Sequence, residues 1–177
     1  MIGFLRFFGL LNTGIWLGGA IFFTLGAGPA AFSQEMKTLL GGNFQVFSGA
    51  IAQIFVNRYF HLQLICSAIA LVHLLVERLY LGKPLQQLWL SLLIALFSLS
   101  LLGTYWLQPK MKQLHAIKYA VGSPPAAREA AAQSFRAWHG ATQIVNLLMI
   151  GCLGVYFWHL TNPPEQTRFV TTSKFRS

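Results

Sequence analysis

Apolar residues in this chain come in four long runs, covering about residues 7–31, 59–81, 85–107 and 135–160. Each reaches the roughly 20 residues that a helix needs to cross the hydrocarbon core of a bilayer. Strict alternation is absent, so the pattern predicts helices that are apolar nearly all round. The first run carries no charge between Arg6 and Glu35. It is longer than the roughly 7–15-residue apolar region of a secretory leader, and it is read as a span.

Residues 44–57 differ. Phe44, Phe47, Ile51, Ile54 and Phe55 recur near helical spacing, with Gln45, Ser48 and Gln53 between them. The stretch is too short and too polar to span. It predicts an additional short interfacial or re-entrant helix, or a plain amphipathic loop helix, ahead of the second span. Lys83-Pro84 makes the link between spans two and three a tight antiparallel hairpin. Pro109 is expected to end or bend the third helix. Met111, Leu114, Ile117 and Val121 then continue an amphipathic stretch, and Ser123-Pro124 reads as N-cap and first residue of a new helix. The Ala-rich run from Ala126 extends the fourth span beyond the bilayer, and Asn162-Pro163-Pro164 stops it. The organisation expected is an all-α, integral membrane four-helix bundle over residues 1–162 and a polar tail over 163–177.

Composition sharpens this reading. Of 177 residues, 55% are hydrophobic and only 10% are charged, against about 25% charged in a typical soluble domain. So few charges cannot cover a soluble core of this size, and so apolar a chain is not disordered. Two cysteines do not make a disulfide scaffold. The net charge of +9 would raise nucleic acid in a soluble protein. Here the cations sit at the ends of apolar runs, as membrane proteins place them. The expected partner is therefore the lipid bilayer and not nucleic acid, with a bacterial inner membrane as the expected location. Four spans put both termini on one side. Of the 13 Lys and Arg, six (Arg6, Arg78, Lys83, Arg168, Lys174, Arg176) fall on that side and seven on the other, so the count does not orient the protein.

Polar residues at membrane depth usually face the bundle interior and carry function. They form two groups. On the side away from the termini, Arg58, Tyr59 and His61 begin span two, Gln108, Lys110 and His115 follow span three, and His139 and Gln143 lie near the start of span four, while Asn146, mid-way along span four, is expected to hydrogen-bond across to another helix and is a further candidate ligand-binding residue. Antiparallel spans bring these ends to one face. His61 and His139 are the candidate metal ligands, because two neutral imidazoles on two helices suit a metal ion or the iron of a haem. The bland alternative is a set of interfacial side chains bonded to headgroups. Toward the termini, His73 and Glu77 share a helix face and read as a buried polar pair, or alternatively as a proton or cation site; Asn12 lies at a similar depth. Gly14-x-x-x-Gly18 in span one reads as tight helix packing, or alternatively as room for a flat ligand against the backbone. Cys66 and Cys152 sit at different depths and are not expected to pair. No phosphate loop, no nucleophile elbow and no paired carboxylates are present, so hydrolysis and phosphoryl transfer find no machinery here and no catalytic residues are assigned.

Four stretches carry a family likeness: Trp16-Leu17-Gly18; Tyr59-Phe60-His61; Trp106-Leu107-Gln108-Pro109-Lys110; and Phe135-Arg136-Ala137-Trp138-His139-Gly140 followed by Asn146-Leu147. In this order and spacing the chain resembles the transmembrane-protein-205-like family of four-helix membrane proteins. The resemblance implies a four-span helical bundle of unestablished activity, with an association of eukaryotic members with platinum-drug resistance and vesicle traffic that points toward metals or cations. More distantly, Trp16-x-Gly18 through Pro29 and Phe32 looks like the first helix of copper-resistance D-type proteins and of the haem-containing membrane protoporphyrinogen oxidase. Two departures stand out. Asn57-Arg58 occupies the place where relatives often carry a Pro, and no His precedes the span-one Trp as it does in the oxidase. Three readings follow: binding of a metal or cation at the His61/His139 region, a non-catalytic accessory or scaffold subunit of a membrane complex, and a haem-binding redox protein.

Overall fold

The structure, a computed structural model, is described over residues 2–82 and 86–162. The hairpin link at Lys83-Pro84 and the tail 163–177 lie outside the described residues. The chain is all-helical, with α1 (Ile2–Phe22), α2 (Gly28–Ala30), α3 (Gln34–Leu40), α4 (Phe44–Leu81), α5 (Gln87–Leu102), α6 (Gln108–Tyr119) and α7 (Pro125–Thr161). Four helical stretches are long and apolar enough to cross a membrane: Gly3–Ala30, Gln34–Tyr80, Gln87–Tyr119 and Pro125–Thr161. This is an integral membrane protein.

Two of these stretches pass through a π turn just ahead of a proline. Phe23–Ala27 precedes Pro29 and Gly103–Leu107 precedes Pro109. Proline has no N–H to give to the carbonyl four residues back, and one wider turn absorbs that gap. Pro109 therefore does not end the third helix; α6 continues α5 through the turn. The expectation for residues 44–57 is also corrected. They form no separate interfacial helix but the first third of α4, because neither a Pro nor a cap interrupts the backbone between Phe44 and Tyr59. The short extra helix is α3 instead. Its N-cap Ser33 accepts a hydrogen bond from the Met36 backbone N–H at 3.2 Å. The fourth helix starts at Pro125, one residue later than Ser123-Pro124 implies. Pro125 drives the residue before it into extended backbone, so Pro124 becomes the cap.

Exposed aromatic rings gather at two levels. Trp106 packs edge-on against Trp138 with Tyr105 beside them, and Trp158 and Tyr80 are exposed at the opposite end. Trp138 and Trp158 are twenty residues apart on α7, about 30 Å of helix. That is the thickness of a bilayer's hydrocarbon core, and such rings prefer its two interfaces. The start of α4, together with α6 and the start of α7, then extends past the Trp106/Trp138 level.

Span one packs against α4 and α7, and α4 against α5. The core holds Trp16, Ala20, Tyr59, Cys66, Ala70, Leu93, Leu96, Met149, Leu153 and Tyr156. Both cysteines are free thiols. The tight contacts are made at glycines other than Gly14 and Gly18, the tightest at Gly49, where a Cβ would run into the His115 ring. A Cβ at Gly9 would stand 2.5 Å from His73 Cε1, and one at Gly103 would stand 2.6 Å from Phe60 Cε1. Gly18 has nothing within 4 Å, and Gly14 meets only Phe157 at 3.8 Å. Gly9→Ala and Gly103→Ala are each expected to destabilise the bundle by about 1–3 kcal/mol through overpacking. Gly18→Ala should be neutral or slightly stabilising, since alanine is the better helix former. Unfolding titrations in mixed micelles check the order; equal losses at all three glycines would contradict this packing.

Candidate functional site

Span one and α4 run antiparallel in a fixed register. Asn12 Nδ2 donates to the Cys66 carbonyl at 3.0 Å, Gly19 faces Leu62, and Phe23 stacks on Tyr59 with ring centroids 4.1 Å apart. Trp16 lies between Asn12 and Gly19, so it comes level with Gln63 between Leu62 and Cys66. Both are fully inside, at 0% and 1% exposure. The Trp16 Nε1–H has no hydrogen-bond partner, and the Gln63 amide makes no well-formed hydrogen bond, lying beside the Tyr59 hydroxyl one turn away. The Trp16 N–H and the Gln63 amide thus lie at one level of the bundle interior, where a polar atom without a well-formed hydrogen bond costs free energy.

One turn away, on the far-interface side of this level, a polar chain crosses three spans. The Tyr59 hydroxyl donates to Asn146 Oδ1. Asn146 Nδ2 donates to Thr24 Oγ1 at 2.7 Å, and the Thr24 hydroxyl donates to the Ala20 carbonyl at 2.7 Å. Tyr59 is buried and held flat by Phe23 on one face. Thr13, Ser67, Ser100 and Thr104 are also buried, and each spends its hydroxyl on a carbonyl of its own helix. No formal charge lies among these groups.

The candidate residues read from the sequence divide accordingly. Tyr59 and Asn146 come together. His61 is exposed, with Nδ1 2.7 Å from the Asn57 carbonyl of its own helix. His139 is exposed, beside the Phe135 ring, and Gln143 Nε2 approaches its Nε2 at 3.4 Å. Arg58 is exposed, and Gln108 is half-buried where the π turn passes into α6. Among the described residues no three His, Cys, Asp or Glu gather as a metal would need. Toward the termini, His73 is buried with Nε2 2.9 Å from the Leu5 carbonyl, so it ties α4 to α1. Glu77 is half-buried one turn further along α4.

Gln63 and Thr24 escaped the sequence reading. The available signal was a lone glutamine four residues after Tyr59 within an otherwise apolar run, which places both on one helix face. Thr24 gives no such signal, because a threonine inside a span usually bonds its own helix.

The family described as Domain of unknown function (DUF4149) matches residues 11–120, more than half of the chain and most of its first three spans. No curated protein and no solved structure matches the chain. By the extent of that match, the chain is a member of the DUF4149 family.

Proposed function

We propose that this protein binds a small uncharged molecule inside the bundle, between spans one, two and four. The observation that supports this is the poorly bonded set at Trp16 and Gln63: two kinds of N–H donor and one amide acceptor, almost completely buried and level with each other. A buried amide without a well-formed hydrogen bond is a poor way to fill a membrane core. It is well placed to hold a ligand that has both a donor and an acceptor. The absence of formal charge around it favours a neutral molecule over an ion.

The resemblance to the transmembrane-protein-205-like family supports the location. Trp16, Tyr59 and Asn146 come from three of the matching stretches, and all three turn toward this interior. The reading places the site inward of His61 and His139, which are exposed near the interface.

The test is native mass spectrometry of the protein released from its own membrane in mild detergent, with Gln63→Leu alongside. The wild type is expected to carry a small stoichiometric adduct that Gln63→Leu lacks. Stripped of that adduct, Gln63→Leu should unfold at the same or a higher temperature than the wild type, because leucine replaces a poorly bonded amide. A wild type without adduct, or an adduct that persists in Gln63→Leu, overturns the reading.

A further inference from the structure

Gly14 makes only one loose contact across to α7, with Phe157 at 3.8 Å. It forms the floor of an open groove of about 540 Å³ on the outer face of the bundle, between α1 and α7. Phe7, Leu11, Gly14, Ile15 and Phe157 line it, and Thr161 stands at one end. At that same end the Arg6 guanidinium donates through Nη2 to the Thr161 carbonyl at 3.2 Å, and Arg6 is exposed. Trp158, one turn from Thr161, is 70% exposed, which puts the end of the groove at the membrane interface.

We infer that this groove seats one acyl chain of an acidic phospholipid, with the lipid phosphate against Arg6. The dimensions fit. Phe7 to Ile15 spans about 12 Å of helix, close to the ~15 Å depth of one leaflet. The walls are apolar and the floor is a residue without a side chain, so a chain can lie against the backbone. A guanidinium presents several N–H donors in a fork that suits phosphate. One of them is anchored on the Thr161 carbonyl, which fixes the group at the mouth. The charge is what commits the groove to an acidic lipid: a second copy of the chain would have to bury Arg6 in its interface.

The probe is phosphatidylglycerol set against phosphatidylcholine of the same acyl length, each titrated into delipidated protein and followed by native mass spectrometry. The wild type should retain one phosphatidylglycerol about tenfold more tightly than phosphatidylcholine, the size expected for a hydrogen bond to a charged group. Arg6→Gln keeps a donor for the Thr161 carbonyl but removes the charge, and it should erase that preference. Gly14→Leu fills the groove and should weaken both lipids alike. Thermal melts of both variants in lipid-free detergent check that the bundle is intact, and Gly14→Ile serves as a second filling variant if Gly14→Leu unfolds. Equal retention of both lipids by the wild type overturns the assignment. So does a preference that survives Arg6→Gln, or a dimer mass that displaces lipid.

Discussion

Replacing Trp16 with alanine is expected to cost about 3–5 kcal/mol of bundle stability. The indole is fully enclosed at the centre of the core, among residues of span one, α4 and α7. In a bilayer or micelle the helices are held by van der Waals packing more than by exclusion of water. A cavity of indole size at that point therefore removes contacts from several helices at once. Trp16→Phe should cost well under half as much. It keeps a large ring and removes an N–H that has no partner, so part of the packing loss is offset by relief of an unsatisfied donor. Equilibrium unfolding in mixed detergent micelles, followed by helicity, gives both values. If the two substitutions cost the same, the indole N–H is bonded in a way this arrangement does not provide.

The four spans were legible in the sequence because length and polarity alone decide them: a run of about 20 apolar residues has one economical use. The interior of the bundle was less legible. Tyr59 and Asn146 are 87 residues apart, and each stands out in the sequence as a polar group at membrane depth. Their contact depends on the rotation of α4 and α7 about their axes, which nearly all-apolar helices do not encode in a stripe. The same missing stripe explains His61 and His139. Sequence places them near one interface, but whether they turn inward or outward is set by which neighbours the helices choose, and both turn outward. Gly14 and Gly18 show a related limit. The small-residue motif marks a close approach only when a partner helix lies tightly over it, and here the tight contacts are made at Gly9, Gly49 and Gly103. Residues 44–57 differ from expectation because polar side chains on a helix resemble the end of a span. The backbone has no cause to stop there, so the helix continues past the membrane instead.

Asn146→Leu is expected to destabilise the protein by about 2–3 kcal/mol, and Tyr59→Phe by about 1 kcal/mol, with the double variant more stable than Asn146→Leu alone. The argument turns on which groups are left without partners. Asn146 accepts from Tyr59 and donates to Thr24, so it joins three spans in one step. Leucine there takes away the acceptor of the buried Tyr59 hydroxyl, which is left with only the poorly placed Gln63 amide one turn away. Thr24 suffers less, because its hydroxyl still donates to the Ala20 carbonyl. Tyr59→Phe alone removes the donor and leaves Asn146 Oδ1 unpaired, but that residue is only half-buried and its amide still bonds Thr24. Adding Tyr59→Phe to Asn146→Leu takes away the orphaned hydroxyl, and stability should partly return. A double-mutant cycle measured by unfolding in mixed micelles reads the coupling directly. If the double variant is less stable than Asn146→Leu, the two side chains contribute independently, and the polar chain from Tyr59 to Ala20 does not act as a unit.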